Sequence, residues 1–116
     1  MNHMIINNLI GGLGNQLFQI SAGYAHAKKL KTEFAINYNI GLGNGQGYHP
    51  NKYKNNLYKH IPTTNRRTFI PYNQEFGYSP IEYLDDLCLI GYFQSSKFFK
   101  GYETEIKKLF NFPKSV

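Results

Sequence analysis

Residues 11–19, GGLGNQLFQ, place three glycines directly after a short apolar run and directly before an amphipathic pattern. The preceding run, residues 4–10, predicts a buried strand that ends at glycine. From Gln16 to about Leu30, apolar residues recur at helical spacing, and Asn15 is the predicted N-cap. A strand, a glycine turn and a helix in this order open a β-α-β unit, so this region predicts an α/β fold with a parallel sheet.

The middle of the chain extends the alternation of strands and helices. Residues 33–38, EFAINY, predict a second strand, and residues 41–56 hold too much Gly, Asn and Pro for regular structure. Residues 68–72, TFIPY, predict a short strand that Pro71 either ends or confines to a sheet edge. Residues 87–93, LCLIGYF, predict a further strand.

The last predicted element is a helix from about Ser96 to Phe110. Either Ser95 or Ser96 is its predicted N-cap, and Pro113 closes it. Its apolar residues form one stripe, which consists of Phe99, Tyr102, Ile106, Leu109 and Phe110. Together the elements predict one α/β domain over residues 1–116, a Rossmann-like parallel sheet with flanking helices.

The composition is typical of a globular protein without disulfides or membrane spans. Hydrophobic residues make up 41% of the chain and aromatic residues 16%, which argues against disorder. No stretch approaches the roughly 18 apolar residues that a transmembrane helix needs. The single cysteine has no partner for an internal disulfide, and the N-terminus lacks a basic segment followed by an apolar one. We therefore expect a cytoplasmic protein.

The charge balance indicates anionic partners. The chain has 13 basic and 7 acidic residues, for a net charge of +6. Only Arg66 and Arg67 are arginines, and because base readout favours the planar guanidinium, specific nucleic-acid recognition is not expected. Lys28, Lys29 and Lys31 lie near the predicted end of the first helix, where cations complement the helix dipole. We interpret them as a solvated helix end.

Known nucleotide-binding motifs fit the glycine turn only in part. A dinucleotide-binding turn reads G-x-G-x-x-G, but Leu17 stands at the third glycine, and residues 36–38 lack the acidic group that binds ribose. No P-loop motif occurs. An anionic ligand could still approach bare N–H groups at the helix N-terminus, with Gly14 at positive φ. The alternative is that Gly11, Gly12 and Gly14 serve only a tight turn.

Two stretches of the chain resemble glycosyltransferase family 11, the α-1,2-fucosyltransferases. Residues 11–19, GGLGNQLFQ, resemble the N-terminal signature of that family. Residues 91–99, GYFQSSKFF, resemble its downstream G-Y-F-Q-S-x-K-Y-F stretch, at a similar separation from the first. The resemblance covers roughly residues 5–112 and is thin between the two stretches.

The resemblance implies a GT-B-like enzyme that transfers fucose from GDP-fucose to a hydroxyl group of a glycan acceptor. The transfer would invert the anomeric centre and require no metal or other cofactor. This chain would correspond to the N-terminal domain, whose glycine turn faces the cleft between the two domains. Gly12, Gly14, Asn15 and Gln16 would then contact the fucose and the diphosphate of the donor.

The chain departs from the family pattern at one functional segment. Family members carry an H-x-R-x-G-D type segment, whose arginine neutralises the leaving diphosphate, and no histidine of this chain has arginine two residues later. Arg66 and Arg67 lie in TTNRRTF, so no catalytic residue is assigned to them. We therefore expect a truncated, fucosyltransferase-like chain that is inactive alone, either a fragment or a naturally short product, unless a second chain supplies the other half.

The remaining candidates are weaker. The four histidines and Cys88 show no metal-ligand spacing, so no metal site is predicted, and Cys88 is interpreted as a core residue. Asp85 and Asp86 precede a strand and predict a solvated turn. Residues 41–47 are interpreted as a connector rather than a flap. Four tyrosines could stack on sugar rings, namely Tyr48, Tyr53, Tyr58 and Tyr72.

An alternative function belongs to a different class. The same fold, with its basic and aromatic surface, could be a non-catalytic module that binds carbohydrate or nucleic acid. Salt dependence separates nucleic-acid binding from sugar-nucleotide binding. The affinity for nucleic acid falls steeply with ionic strength, whereas the affinity for a sugar nucleotide, which has few phosphates, falls far less.

Overall fold

A parallel β-sheet of four strands organises the chain, in a computed structural model that describes residues 3–39, 49–74 and 77–112. The strands are β1 (Met4–Asn7), β2 (Glu33–Phe34), β3 (Ile70–Asn73) and β4 (Leu87–Ile90), in the order β2-β1-β4-β3. All three pairings are parallel, which confirms the predicted α/β arrangement. Of the predicted irregular segment at 41–56, residues 41–48, with the connector at 41–47 and Tyr48, lie outside the described residues, as does Pro113. In the described part, Pro50–Tyr53 forms a 3₁₀ helix, so the prediction of no regular structure is wrong there.

The first helix, α1 (Leu13–Leu30), packs on one side of the sheet. It begins within two residues of Asn15 as predicted, but its N-cap is Gly12, so the assignment of Asn15 as N-cap is wrong. The physical reason lies one residue earlier, since Gly11 has a φ of +78° and already turns the chain into the helix. Midway along α1, a methyl group added to Gly23 would lie 2.2 Å from Asn7 Oδ1. Gly23 therefore lets α1 approach β1 closely.

The prediction of one continuous helix from Ser96 to Phe110 is wrong. A 3₁₀ helix at Ser96–Phe99 is followed by a separate short helix, α2 (Glu103–Leu109). Gly101 lies between them with a φ of +94°, a left-handed conformation that ends a helix. Ser95 does cap the first segment, because its side chain accepts a 3.3 Å hydrogen bond from the backbone N–H of Lys97.

The strand that contains Pro71 lies at the edge of the sheet and continues to Asn73, so of the two predicted alternatives Pro71 confines the strand to an edge and does not end it. Ile70 and Gln74 donate backbone hydrogen bonds to Asp86 and Ile90 beside β4. The position of Pro71 between them turns its nitrogen toward the outer edge, where no N–H donor is needed. The strand at residues 4–10 is shorter than predicted, although the N–H of Asn8 still bonds the carbonyl of Leu89 at 2.9 Å.

A cluster of charged side chains ties the strands together at the amino edge of the sheet. Asp86 accepts hydrogen bonds from Arg66 Nη2 at 2.9 Å, from the N–H of Met4 at 3.1 Å, and pairs with His3 Nδ1 at 2.9 Å. The prediction of a solvated turn is therefore wrong for Asp86, because three groups from distant parts of the chain converge on its carboxylate. Arg66 also lies over the ring of Phe69.

The helices of the described ranges are too short or too polar to cross a bilayer.

Candidate functional site at the carboxyl edge of the sheet

Three segments meet where the parallel strands end. Residues 10–12 follow β1, residues 91–95 follow β4, and residues 73–74 close β3. In open parallel sheets, ligands bind outside the carboxyl ends of the strands, at the point where connections leave in different directions. The amino edge, with its Asp86 cluster, lies at the other end of the strands. The carboxyl edge is therefore the candidate site.

The glycine turn has an open helix end. Gly12 is the N-cap of α1 in extended backbone, it provides no side-chain cap, and the first turn contains no acidic residue. A methyl group added to Gly11 would lie 2.6 Å from Asn15 Nδ2, whereas one added to Gly14 would have no atom within 4 Å. The expectation that Gly14 needs positive φ is wrong, because Gly14 lies inside α1 and Gly11 makes the turn. Open space at Gly14 gives access to the helix end.

Two buried glutamines hold this turn from below. Gln19 donates through Nε2 to the carbonyl of Ile10 and accepts through Oε1 from the N–H of Ile10, both at 3.0 Å. Gln16 donates to the carbonyl of Gly11 at 3.1 Å and accepts from the hydroxyl of Tyr58 at 2.8 Å. Both glutamine side chains are fully buried. Gln16 therefore fixes the backbone of the turn, and its amide lies beneath the surface.

The sequence interpretation did not identify Gln19 or Tyr58 as supports of the site. A signal was present, since Gln16 and Gln19 occupy the same predicted helix face as the buried Ile20 and Gly23. A buried amide requires hydrogen-bond partners, and the nearest unpaired backbone groups at a helix start belong to the preceding turn. Burial raises the pKa of Tyr58, so its hydroxyl stays protonated and donates.

The two stretches at 11–19 and 91–99 are in direct contact. Gln94 Nε2 donates a hydrogen bond to Asn15 Oδ1, which joins the loop after β4 to the first turn of α1. One helical turn further on, the rings of Phe18 and Phe99 pack with their centroids 6.1 Å apart. Asn15, predicted as a cap, instead forms this link.

The loop after β4 has an unusual backbone that directs its side chains. Gly91 has a φ of +144°, and a methyl group there would lie 2.8 Å from the carbonyl oxygen of Gln74. Phe93 has a φ of +51°, which is rare for a bulky residue, and its buried ring packs on Phe98 at 5.2 Å. Tyr92, between them, is 43% exposed. The loop thus buries one aromatic ring and presents the other.

A cleft of about 350 Å³ lies beside this loop. It opens between the ends of β3 and β4, and none of the lining residues that the structure describes is charged. They are Asn73, Gln74, Gly77, Ile90, Gly91, Tyr92, Phe93 and Gln94. Gln94 lines the cleft and also donates a hydrogen bond to Asn15, so it connects the cleft to the glycine turn.

Other sequence candidates lie away from this edge. Cys88 is half-buried in β4, and burial raises the pKa of its thiol, which disfavours the nucleophilic thiolate. Tyr58 is buried and unavailable for stacking on a sugar, whereas Tyr53 and Tyr72 are half-buried. Lys28 and Lys29 are exposed in the last turn of α1, in agreement with their interpretation as a solvated helix end.

One group of potential metal ligands occurs in the described ranges. It comprises His3, Asp85 and Asp86, whose ligand atoms lie within 4.8 Å of one another. Arg66 binds the same carboxylate of Asp86 and supplies the positive charge that a cation would bring. The group is an ion-pair cluster at the amino edge, remote from the glycine turn.

No protein-family model, curated protein or solved structure gives a significant match to this chain.

Proposed function

We propose that this chain is a donor-facing domain of a fucosyltransferase-like glycosyltransferase and that residues 11–15 bind the diphosphate and fucose of GDP-fucose. The hydrogen bond between Gln94 and Asn15 is the main support, because it joins the two stretches that resemble the family. Segments that follow paired parallel strands lie at the same sheet edge, and here the two segments after β1 and β4 are the two that resemble the family. Here they meet where open α/β sheets bind ligands.

The helix end supplies the chemistry that an anionic donor requires. The N-terminus of an α-helix carries about half a positive charge and presents unpaired N–H groups. In α1, neither a capping side chain nor an acidic residue competes for them. Open space at Gly14 leaves room for a phosphate, and the two buried glutamines keep the turn in a fixed shape. These features support binding of a diphosphate.

The positions of the arginines argue for donor binding rather than complete catalysis. Arg66 is held by Asp86 at 2.9 Å, at the amino edge, and Arg67 follows it in the chain. The proposal therefore assigns the arginine that neutralises departing GDP to another domain or chain. The proposed role is to bind and orient the donor while another domain or chain completes the site.

Titration of GDP-fucose into the ¹⁵N-labelled chain tests the proposal. We expect saturable shifts in the amide signals of Gly12, Gly14 and Asn15. Gly14→Val should weaken binding at least tenfold, because an isopropyl group would fill the open approach to the helix end. Lys29→Val is the matched control at the other end of α1 and should bind within twofold of the parent.

Salt dependence separates this proposal from the alternative of a nucleic-acid-binding module. Raising salt from about 50 to about 200 mM costs a protein with 6 to 10 phosphate contacts about 10³ to 10⁵ in affinity, whereas a diphosphate should lose about tenfold or less. Absence of saturable GDP-fucose binding would refute the proposal. Tight oligonucleotide binding with the steep loss would support the alternative.

A further inference from the structure

The cleft next to the glycine turn has a different chemistry from the turn itself. Asn73, Gln74 and Gln94 contribute amide side chains to its lining, and Tyr92 contributes an exposed ring. The chain carries a net charge of +6, yet none of the described residues that line this space has a charged side chain. Its volume of about 350 Å³ lies at the lower end of the usual range for small-molecule sites.

Amide groups and one aromatic face suit a hydroxyl-rich, uncharged ring. Each amide offers both donors and acceptors, as the hydroxyl groups of a sugar do. An aromatic ring can pack against the apolar C–H face of a pyranose. A carboxylated or phosphorylated sugar would instead need a cationic partner to offset the desolvation of its charge. The lining therefore favours a neutral sugar over an anionic one.

The backbone of the loop keeps Tyr92 available. Because Phe93 adopts a left-handed conformation and buries its ring against Phe98, the neighbouring Tyr92 remains exposed. Such a conformation of a bulky residue is strained, and it persists only where surrounding contacts enforce it. At Gly91, only glycine fits against the carbonyl of Gln74.

We propose that this cleft is a subsite for an uncharged pyranose, with Tyr92 as the stacking surface and Asn73, Gln74 and Gln94 as hydrogen-bonding groups. Gln94 connects the subsite to the glycine turn through Asn15. That the bound sugar is the acceptor rests on the proposed function. Binding of a neutral sugar to the cleft does not, since it requires no nucleotide.

Sugar titrations monitored by ¹⁵N-resolved NMR of the full chain test this subsite. The probes are methyl β-D-galactopyranoside, methyl β-D-glucopyranoside, glucuronate and guanosine. We expect one or both neutral glycosides to shift the signals of residues 91–94 and 73–74 with millimolar affinity, and glucuronate to bind at least fivefold more weakly. Guanosine is included because amides and an aromatic ring could also bind a nucleobase.

Variants of Tyr92 identify the surface that binds. Tyr92→Ala should weaken the preferred glycoside at least fivefold, whereas Tyr92→Phe retains the ring and should bind within twofold of the parent. Tyr83→Ala is the matched control, because Tyr83 is an exposed tyrosine outside the cleft. Unchanged circular dichroism of each variant verifies the fold.

The outcomes are decisive in either direction. No shift at residues 91–94 with either glycoside, equal binding of glucuronate, or preference for guanosine would overturn the neutral-sugar subsite. An unchanged affinity of Tyr92→Ala would overturn the stacking role. The GDP-fucose titration reports on residues 12–15, so it can fail or succeed independently of the sugar titrations.

Discussion

Three glycines near the first helix have three different physical roles. Gly11 provides a left-handed backbone, Gly14 provides open space, and Gly23 provides close packing against Asn7. The sequence predicted the location of the turn, because glycine clusters are strong local signals. It did not predict which glycine has positive φ, since that depends on where the helix begins. The helix face of Gln19 pointed to a contact with the preceding turn, but only the folded chain shows that Gln19 bonds both backbone groups of Ile10.

The different roles lead to opposite expectations for the same substitution. Gly11→Ala should lower the free energy of unfolding by about 1 to 3 kcal/mol, because alanine is strained at positive φ and would press on Asn15. Gly14→Ala should be neutral or stabilising by up to about 1 kcal/mol, because alanine favours a helix. Urea unfolding of both variants measures this. Equal destabilisation would contradict the assigned roles.

At the scale of elements, the sheet was more predictable than the C-terminal helices. Alternating apolar strands and the glycine turn indicated parallel pairing, which the structure confirms. The stripe of Tyr102, Ile106 and Leu109 does pack toward the core, so the periodicity was real. It could not reveal the break at Gly101, because a left-handed glycine between two short helices leaves the apolar spacing almost unchanged.

The Asp86 cluster stabilises the amino edge of the sheet in a pH-dependent way. Partial burial raises the pKa of Asp86, but hydrogen bonds from His3 and Arg66 outweigh it, so the pKa lies below its ordinary value of 3.8. The hydrogen bond to Asp86 and the charges of both aspartates raise the pKa of His3 above 6.5. The stability that the Asp86 carboxylate contributes is lost as pH falls through its lowered pKa. The stability that protonated His3 contributes is lost as pH rises through its raised pKa. The stability contributed by the cluster is therefore greatest between about pH 3.8 and 6.5.

Replacing Asp86 by asparagine should weaken the interactions of the cluster, and asparagine tolerates the left-handed backbone conformation at residue 86. We expect Asp86→Asn to lower the free energy of unfolding by about 1 to 2 kcal/mol at pH 5 to 6, as typical for hydrogen bonds to a charged group at a half-exposed site. The difference should shrink above neutral pH as His3 loses its proton. Asp85→Asn is the control, because Asp85 Oδ2 lies 3.8 Å from His3 Nδ1, whereas Asp86 Oδ2 lies 2.9 Å from it. An equal effect of both variants at every pH would contradict the assigned cluster.

At the scale of the whole molecule, the distribution of charge separates the candidate site from the basic surface. Lys28 and Lys29 lie in the last turn of α1, 15 and 16 residues after its first residue Leu13, which is about 23 to 24 Å along the helix at 1.5 Å per residue. Within the described part of the chain, the residues that line the cleft are uncharged. Net charge read from the sequence indicated an anionic partner, but only the folded chain shows that Lys28 and Lys29 lie at the opposite end of α1 from the turn. The helix end, with its unpaired N–H groups, is the local source of positive potential.

These 116 residues alone should bind GDP-fucose but not transfer fucose at an enzymatic rate. Departure of GDP develops negative charge, and each lost stabilising donor commonly costs about 3 to 4 kcal/mol, or roughly 10² to 10³ in rate. Arg66 cannot supply that charge while Asp86 holds it at the amino edge. Transfer of radiolabelled fucose to a panel of galactosides measures this, with and without a second polypeptide that carries an H-x-R-x-G-D segment. Transfer only after the addition would support the proposed division of roles. Robust transfer by the chain alone would show that its own residues, among them the open end of α1, suffice to stabilise departing GDP.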